Sequence, residues 1–387
     1  MSKGALGLLA AYWPEDTPRY AHVPLKLVTE VTVHAVAAEA PERPALVTGA
    51  GTLAYGELSE RIRRAASALS ARAERGSRVA VAVSDPADLL SAAFGAIEAG
   101  MLAWMTAEMP PPEILTAFSP RLLVGESAAP EIERVGIRDL LSAAGGERRS
   151  GRPDFKGPVL ALAKPDRSGE TLHNQKTLAA TAIAVASFYM IDAGTRVLFL
   201  EPPTDWLGLS LLLGVWRGGG TAVCAFGANP APLPDRVDYL ASGWEQASRR
   251  LLDDPRFRPG PRIGAGAIVG IEGPFSLSRR RRIARRLRTP VLTLFGRNDV
   301  GPVIGSHPTW FLDDAAGIPL PNVDTRPLDP ADGTPLGIGW DAVEEAELGV
   351  KSALAPAGGT LVEGWLRSER MAAIDPTGVY FFRPPGR

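Results

Sequence analysis

The chain has 387 residues, 45% of them hydrophobic and 22% charged, with a formal net charge of −1. That length predicts a large core and two or three subdomains, and the near-zero charge leaves no electrostatic footprint for nucleic acid or for an anionic membrane surface. A single cysteine, Cys224, excludes an internal disulfide and fits a reducing, cytoplasmic setting.

The apolar patch at 5–11 ends at Trp13-Pro14-Glu15-Asp16, too short and too weakly basic for a signal peptide, and no run reaches membrane-spanning length. Residues 26–40 read as a helix broken by Pro41 and Pro44. Two short strands, 45–48 and 52–55, flank Gly49-Ala50-Gly51 and predict a hairpin. A helix follows to about 72, with Leu58, Ile62, Ala65, Ala66 and Leu69 at helical spacing. Residues 78–84 read as a buried parallel strand, and Asp85 or Asp88 can cap the helix 87–99 that Gly100 stops. Strands at 101–105 and 122–124 complete a β/α alternation, which predicts a parallel sheet covered by helices. The Gly/Pro/charge-rich segment 143–158 reads as a surface linker.

The stretch 156–178 organises the second half of the chain. An apolar run at 159–163 leads into a polar turn, 164–170, and then into a helix starting near Leu178. A strand, a Gly-containing turn and a helix start can present backbone N–H groups to an anion. This turn has one glycine, Gly169, and carries Asp166 and Glu170, which repel phosphate. After it come strand 196–200, helix 207–216, strand 221–225, a helix at 236–252, strand 267–271, the basic helix 277–288, strand 290–294 and a loop at 295–301. The arginines of 279–288 read as a solvated helix face, and Cys224 as a buried structural thiol. Beyond 305, recurring Pro and Gly between short apolar runs predict a small β-rich subdomain. The expected division is 1–155, 156–304 and 305–387.

Six segments in order resemble the adenylate-forming superfamily of acyl- and aryl-CoA synthetases, adenylation domains and luciferases. PERPALVTGAGTLAYGELSERIRRAASAL looks like its opening hairpin and helix, and GSRVAVAVSDPADLLSAAFGAIEAG like the strand and helix after it. GTRVLFLEPPTDWLGLSLLLGVWRGGGTAV is similar to the strand, "P-x-x-H-x-x-G" loop and helix, and FSLSRRRRIARRLRTPVLTLFGRNDVGPV to the helix, strand and "Y-G-x-T-E-x-G" loop. GIPLPNVDTRPLDPADGTPL and WLRSERMAAIDPTGVYFFRPPGR resemble the β-subdomain start and the closing "W-x-x-T-G-D" region. The resemblance implies an α/β fold of parallel sheets flanked by helices plus a β-rich subdomain: the family's large N-terminal core, ending where its C-terminal lid would begin.

The family joins a carboxylate to ATP, giving an acyl-adenylate that a thiol or amine then takes. Here the functional positions depart from its patterns. DRSGETLHNQKTL keeps Ser168, Gly169 and Thr171 of the phosphate loop but loses the Gly-rich wrap. FGRNDVG keeps Phe295-Gly296, which the resemblance places near adenine, but has Asn298 for Thr and Asp299 for the Mg²⁺-linked Glu. In WLRSERM, Arg370 stands where an Asp would accept the ribose hydroxyls, which a cation cannot do. These residues form an expected vestigial nucleotide site, with no metal site. The expected substrate pocket comprises Asp205, Trp206, Gly270, Glu272, Gly273 and Phe295.

Scarce lysine, abundant arginine and high Ala, Gly and Pro content suggest a bacterial genome, and the resemblance implies a protein of specialised metabolism. It is expected to bind a small aromatic or acyl carboxylate, or its thioester, without the usual adenylation and with no cofactor. One alternative is a residual ligase that uses ATP and Mg²⁺ and borrows a lid from another protein. The other is a non-catalytic partner or scaffold of a pathway enzyme or carrier protein.

Overall fold

The structure, a computed structural model, describes residues 13–125, 132–142, 154–163, 169–243, 262–271, 276–336, 343–356, 361–375 and 378–382. Three sheets organise them. The first runs in the order Glu133–Val135, Leu122–Gly125, Arg78–Ala82, Leu102–Thr106, Pro158–Ala163, Glu170–Asn174. It is parallel except for its last pair, an antiparallel hairpin. The second is parallel from Val291–Arg297 through Arg262–Ile271, Arg236–Gly243, Arg196–Phe199 and Thr221–Cys224 to Pro44–Thr48. Antiparallel strands extend it at both edges: Gly51–Ala54 at one, and Gly301–Gly305 with Ile318–Pro319 at the other. The third is the antiparallel β-rich unit of Val323–Leu328, Val343–Ser352, Trp365–Ile374, Leu361–Val362 and Tyr380–Phe382.

The first two sheets exchange segments across position 155. The early hairpin 44–54 pairs with Thr221–Cys224, while Pro158–Ala163 pairs with Leu102–Thr106. A cut between 155 and 156 would separate strands that hydrogen-bond. Helices Tyr55–Ser70, Pro86–Glu98, Gln175–Phe188 and Trp206–Gly218 fill the space between the sheets, and one hydrophobic core runs through them. Phe94 and Trp216 meet edge to face at 4.8 Å across it. Trp206–Gly218 is buried on nearly every side, as a helix apolar all round must be. Asp85, not Asp88, caps Pro86–Glu98, accepting from the Ala87 and Asp88 amides.

Four expectations are corrected. Residues 26–40 form two helices, Val28–Val31 and Val33–Glu39, because Thr32 leaves helical geometry (φ −112°, ψ −100°). The region 236–252 was expected to be helical, but Arg236–Gly243 is a strand, and 244–252 lie outside the described residues. That strand is central in its sheet and covered on both faces, so Val237, Leu240 and Ala241 are all buried and the period of two is masked. The expected loop 295–301 is a second antiparallel turn between Val291–Arg297 and Gly301–Gly305. The turn at 164–170 leads into a strand, Glu170–Asn174, before the helix Gln175–Phe188. Among the described residues no helix is long and apolar enough to cross a membrane.

Candidate functional site

The hairpin 158–174 decides what the organising stretch can do. Ser168 lies outside the described residues, and Gly169 stands in open space. Glu170 turns to Arg78, which grips its carboxylate with both terminal nitrogens. The next helix begins with a reciprocal cap. Asn174 Oδ1 accepts from the Thr177 amide at 2.9 Å, and Thr177 Oγ1 accepts from the Asn174 amide at 3.1 Å. The strand Glu170–Asn174, paired antiparallel with Pro158–Ala163, stands between Gly169 and this helix start.

The two buried positions of that strand face the sheet junction. Thr171 and His173 are one strand period apart, and neither Thr171 Oγ1 nor His173 Nδ1 has a hydrogen-bond partner. His173 Nε2 lies 3.2 Å from the Asn298 carbonyl, its only acceptor there, so Nε2 carries the proton and donates. Burial pulls this imidazole down to about 4.

Asn298 ties three elements together. Its Oδ1 accepts from the Trp206 amide at 2.9 Å, and its Nδ2 donates to the Ala163 carbonyl. Trp206 is 2% exposed and its ring covers Gly296. Gly270 is closed in the same way by Leu207: a β-carbon there would stand 2.5 Å from Cδ2. Glu272 and Gly273 lie outside the described residues. Asp205 is exposed and caps the helix, accepting from the Gly208 amide at 2.8 Å.

Beside this junction Arg297 forms a charged knot. Its Nε donates to Asp299 Oδ1 at 2.9 Å and its Nη2 to Oδ2 at 2.6 Å, while Nη1 reaches Glu369 at 2.9 Å and the Ser368 carbonyl at 3.0 Å. Burial pulls Arg297 down, but its hydrogen bonds to Asp299 and Glu369 outweigh it and hold the guanidinium above its usual value. Phe295 is buried and meets Phe382 edge to face at 4.6 Å, and Arg370 stacks on the same Phe382 at 5.1 Å. Burial lowers Arg370. Among the described residues no group of three or more His, Cys, Asp or Glu side chains could hold a metal ion.

A recess lies at the carboxyl ends of the parallel strands. In the second sheet the chain runs from Arg196–Phe199 outward to Thr221–Cys224, then crosses back to Arg236–Gly243 on the other side. Where strand order reverses in this way, the loops diverge and leave a crevice. A recess of about 250 Å³, counting its open mouth, lies there between Phe199, Glu201, Leu207 and Ser242-Gly243, with Asp205 on its rim. Of the expected pocket residues it gathers only Asp205. Phe199, Glu201 and Ser242 carry no sequence signal of their own, because strand order, not local pattern, brings them together. Cys224 is buried, and burial pushes its thiol up to about 12, as a structural thiol requires.

Comparison with known proteins places this geometry. Residues 33–126 match the AMP-binding enzyme family. No curated protein sequence matches the chain. Among solved structures, the chain is similar to MatB from Rhodopseudomonas palustris with ATP bound: 18% identity, TM-score 0.76, covering 91% of this chain and 78% of that one. It is similar to the N-terminal subdomain of Klebsiella oxytoca NpsA in complex with 3-hydroxybenzoyl-AMSN: 15% identity, TM-score 0.77, covering 93% and 100%. It is also similar to a benzoate CoA ligase from Burkholderia xenovorans LB400: 18% identity, TM-score 0.75, covering 92% and 80%.

Proposed function

We propose that this chain, which has the N-terminal-domain fold of the adenylate-forming enzymes, binds a small aromatic or acyl carboxylate, or its thioester, in specialised metabolism, without the ATP-driven adenylation that the fold serves elsewhere. The observation that carries the reading is the two-point grip of Arg297 on Asp299. The carboxylate that aligns with a magnesium-linked acid already holds a cation of the chain's own, so a metal ion would have to displace a charge-assisted fork. Arg370 stands at the position of the ribose acceptor and offers only donors. The residues present therefore do not fit Mg-ATP in the usual manner.

The recess supplies the ligand reading. Its floor is apolar through Phe199 and Leu207, while Glu201 and Asp205 bring two carboxyl groups to it. A bound carboxylate is repelled by both acids, so the ligand enters with its uncharged acyl or aryl end. The enclosed part of the recess is far smaller than the roughly 300–1,000 Å³ of a drug-sized ligand site, so it takes only the end of a small acyl or aryl group.

Titration calorimetry with Mg-ATP, run beside thermal shifts with benzoate, 3-hydroxybenzoate, malonate and their CoA thioesters, tests the proposal. The expected result is no heat with Mg-ATP and a rise in melting temperature with at least one acid or thioester, lost on Leu207→Trp. Release of pyrophosphate from ATP that depends on an added acid overturns it in favour of a residual ligase. No response to any acid or thioester favours the partner role instead.

A further inference from the structure

The helix Leu277–Leu287 carries more positive charge than its packing uses. Its inner side is accounted for. Ile283 is buried against the second sheet, and Arg280 is buried with its guanidinium donating to the carbonyls of Val291, Leu312, Asp313 and Ala315. Its outer side presents Arg281, Arg282 and Arg285, and Arg288 follows at the C-cap, all four exposed. Among the described residues none of these four forms an ion pair. The nearby acids Asp313 and Asp314 act on Arg280 instead.

Arg285 lies in the last turn, where a cation complements the helix dipole, but other features of this charge work against the isolated helix. Its first turn has no acid, so nothing there complements the helix dipole. Arg281 and Arg285 stand at i and i+4, a repulsive spacing for like charges. Arg288 occupies the left-handed region at φ 54°, where glycine or asparagine is the usual residue. A counter-charge outside the chain relieves the repulsion between Arg281 and Arg285.

The surroundings select among anionic surfaces. Leu277, Ile283 and Leu287 are buried or half-buried, so the exposed face has no apolar stripe to sink into a bilayer. Nucleic acid calls for an extended basic track or exposed aromatic rings, whereas this patch spans one helix of 11 residues, bears no aromatic residue and sits on a chain of net charge −1. Arg281, Arg285 and Arg288, at i, i+4 and i+7, share one side of the helix and match carboxylates repeating at the same spacing. Guanidinium groups grip carboxylates in a planar fork.

We infer that the exposed face of helix Leu277–Leu287 docks an acidic helix of a protein partner, whose glutamates or aspartates at i, i+4 and i+7 meet Arg281, Arg285 and Arg288. This docking stands apart from the recess, and it holds whether or not the recess takes a ligand.

The test is fluorescence anisotropy with the whole chain and a labelled helical peptide bearing glutamates at that spacing. The wild type is expected to bind the peptide, with affinity falling as salt rises. Arg281→Glu/Arg285→Glu is expected to weaken binding by about tenfold or more, with a melting temperature no lower than that of the wild type. Arg281→Lys/Arg285→Lys, which keeps the charge and loses the fork, is expected to fall between the two. If the charge reversal does not fold, Arg285→Ala/Arg288→Ala serves instead and is expected to weaken binding in the same direction. No binding by the wild type, equal binding by the folded variants, or tighter binding of duplex DNA or of phosphatidylserine vesicles in the same buffer overturns the inference.

Discussion

The indole of Trp206 rests on the backbone of Gly296: a β-carbon at position 296 would stand 2.6 Å from Cζ3 and 2.7 Å from Cε3 of that ring. The glycine is needed for close approach, since Trp206 is 2% exposed and has nowhere to retreat. Gly296→Ala should therefore cost about 1–3 kcal/mol by overpacking. Gly169→Ala, where nothing described lies within 4 Å of the new carbon, should stay within about 0.5 kcal/mol of the wild type. Urea unfolding of the two variants checks this, and equal losses would refute the packing account.

Arg297 holds Asp299 and Glu369 together, and removing it leaves two carboxylates facing one another without a cation. Both acids are more than a third exposed, so Arg297→Ala should cost only about 1 kcal/mol. The more telling readout is magnesium. Millimolar Mg²⁺ should raise the melting temperature of the variant and leave the wild type unmoved. A wild type that responds as strongly as the variant would show that the fork does not block the metal.

Two buried imidazoles set an acid limb of stability. His173 and His307 are both held down to about 4 by burial, against a usual value of 6.5. Between those values the unfolded chain binds protons that the folded chain does not, so stability falls as pH falls from 6.5 towards 4. Each histidine should remove about 2 kcal/mol between pH 7 and pH 5. His173→Leu should make that limb shallower by about one histidine's share, measured as the difference in unfolding free energy at the two pH values. An unchanged difference would sink the assignment.

The first sheet hides a polar chain that no local pattern announces. Ser59 Oγ lies 2.8 Å from His34 Nδ1, and His34 Nε2 lies 2.6 Å from Glu98 Oε2. The residue types are those of a hydrolase triad, but Ser59 is 1% exposed, so no substrate reaches it and the chain acts as a strut between three helices. Glu98→Ala leaves His34 buried without its acid and should cost about 3 kcal/mol, while Glu98→Gln, which keeps a hydrogen-bonding group, should cost less. Equal thermal shifts for the two variants would contradict this.

Much of the fold is legible in the chain because its cues are local. Apolar residues at helical spacing in 58–69, the cap at Asp85 and the glycines at 100 and 219 mark helices and their ends without reference to anything distant. The strand Arg236–Gly243 escaped because two covered faces erase the alternation that identifies a strand. Glu170–Asn174 escaped because a short, mixed edge strand looks like the polar turn that precedes it.

The amino-acid order by itself determined the β/α alternation and the β-rich closing unit, and it supplied Asn298, Asp299 and Arg370, since these are matters of residue type and spacing. Only the tertiary structure decided what those residues do. Arg297 reaches Asp299 and Glu369 from neighbouring and distant positions, Trp206 closes over Gly296, and the recess between Phe199 and Gly243 exists because the chain reverses its strand order there. Contacts between residues far apart in the chain depend on which strands lie side by side, and that choice is settled by packing the whole core at once rather than by any single segment.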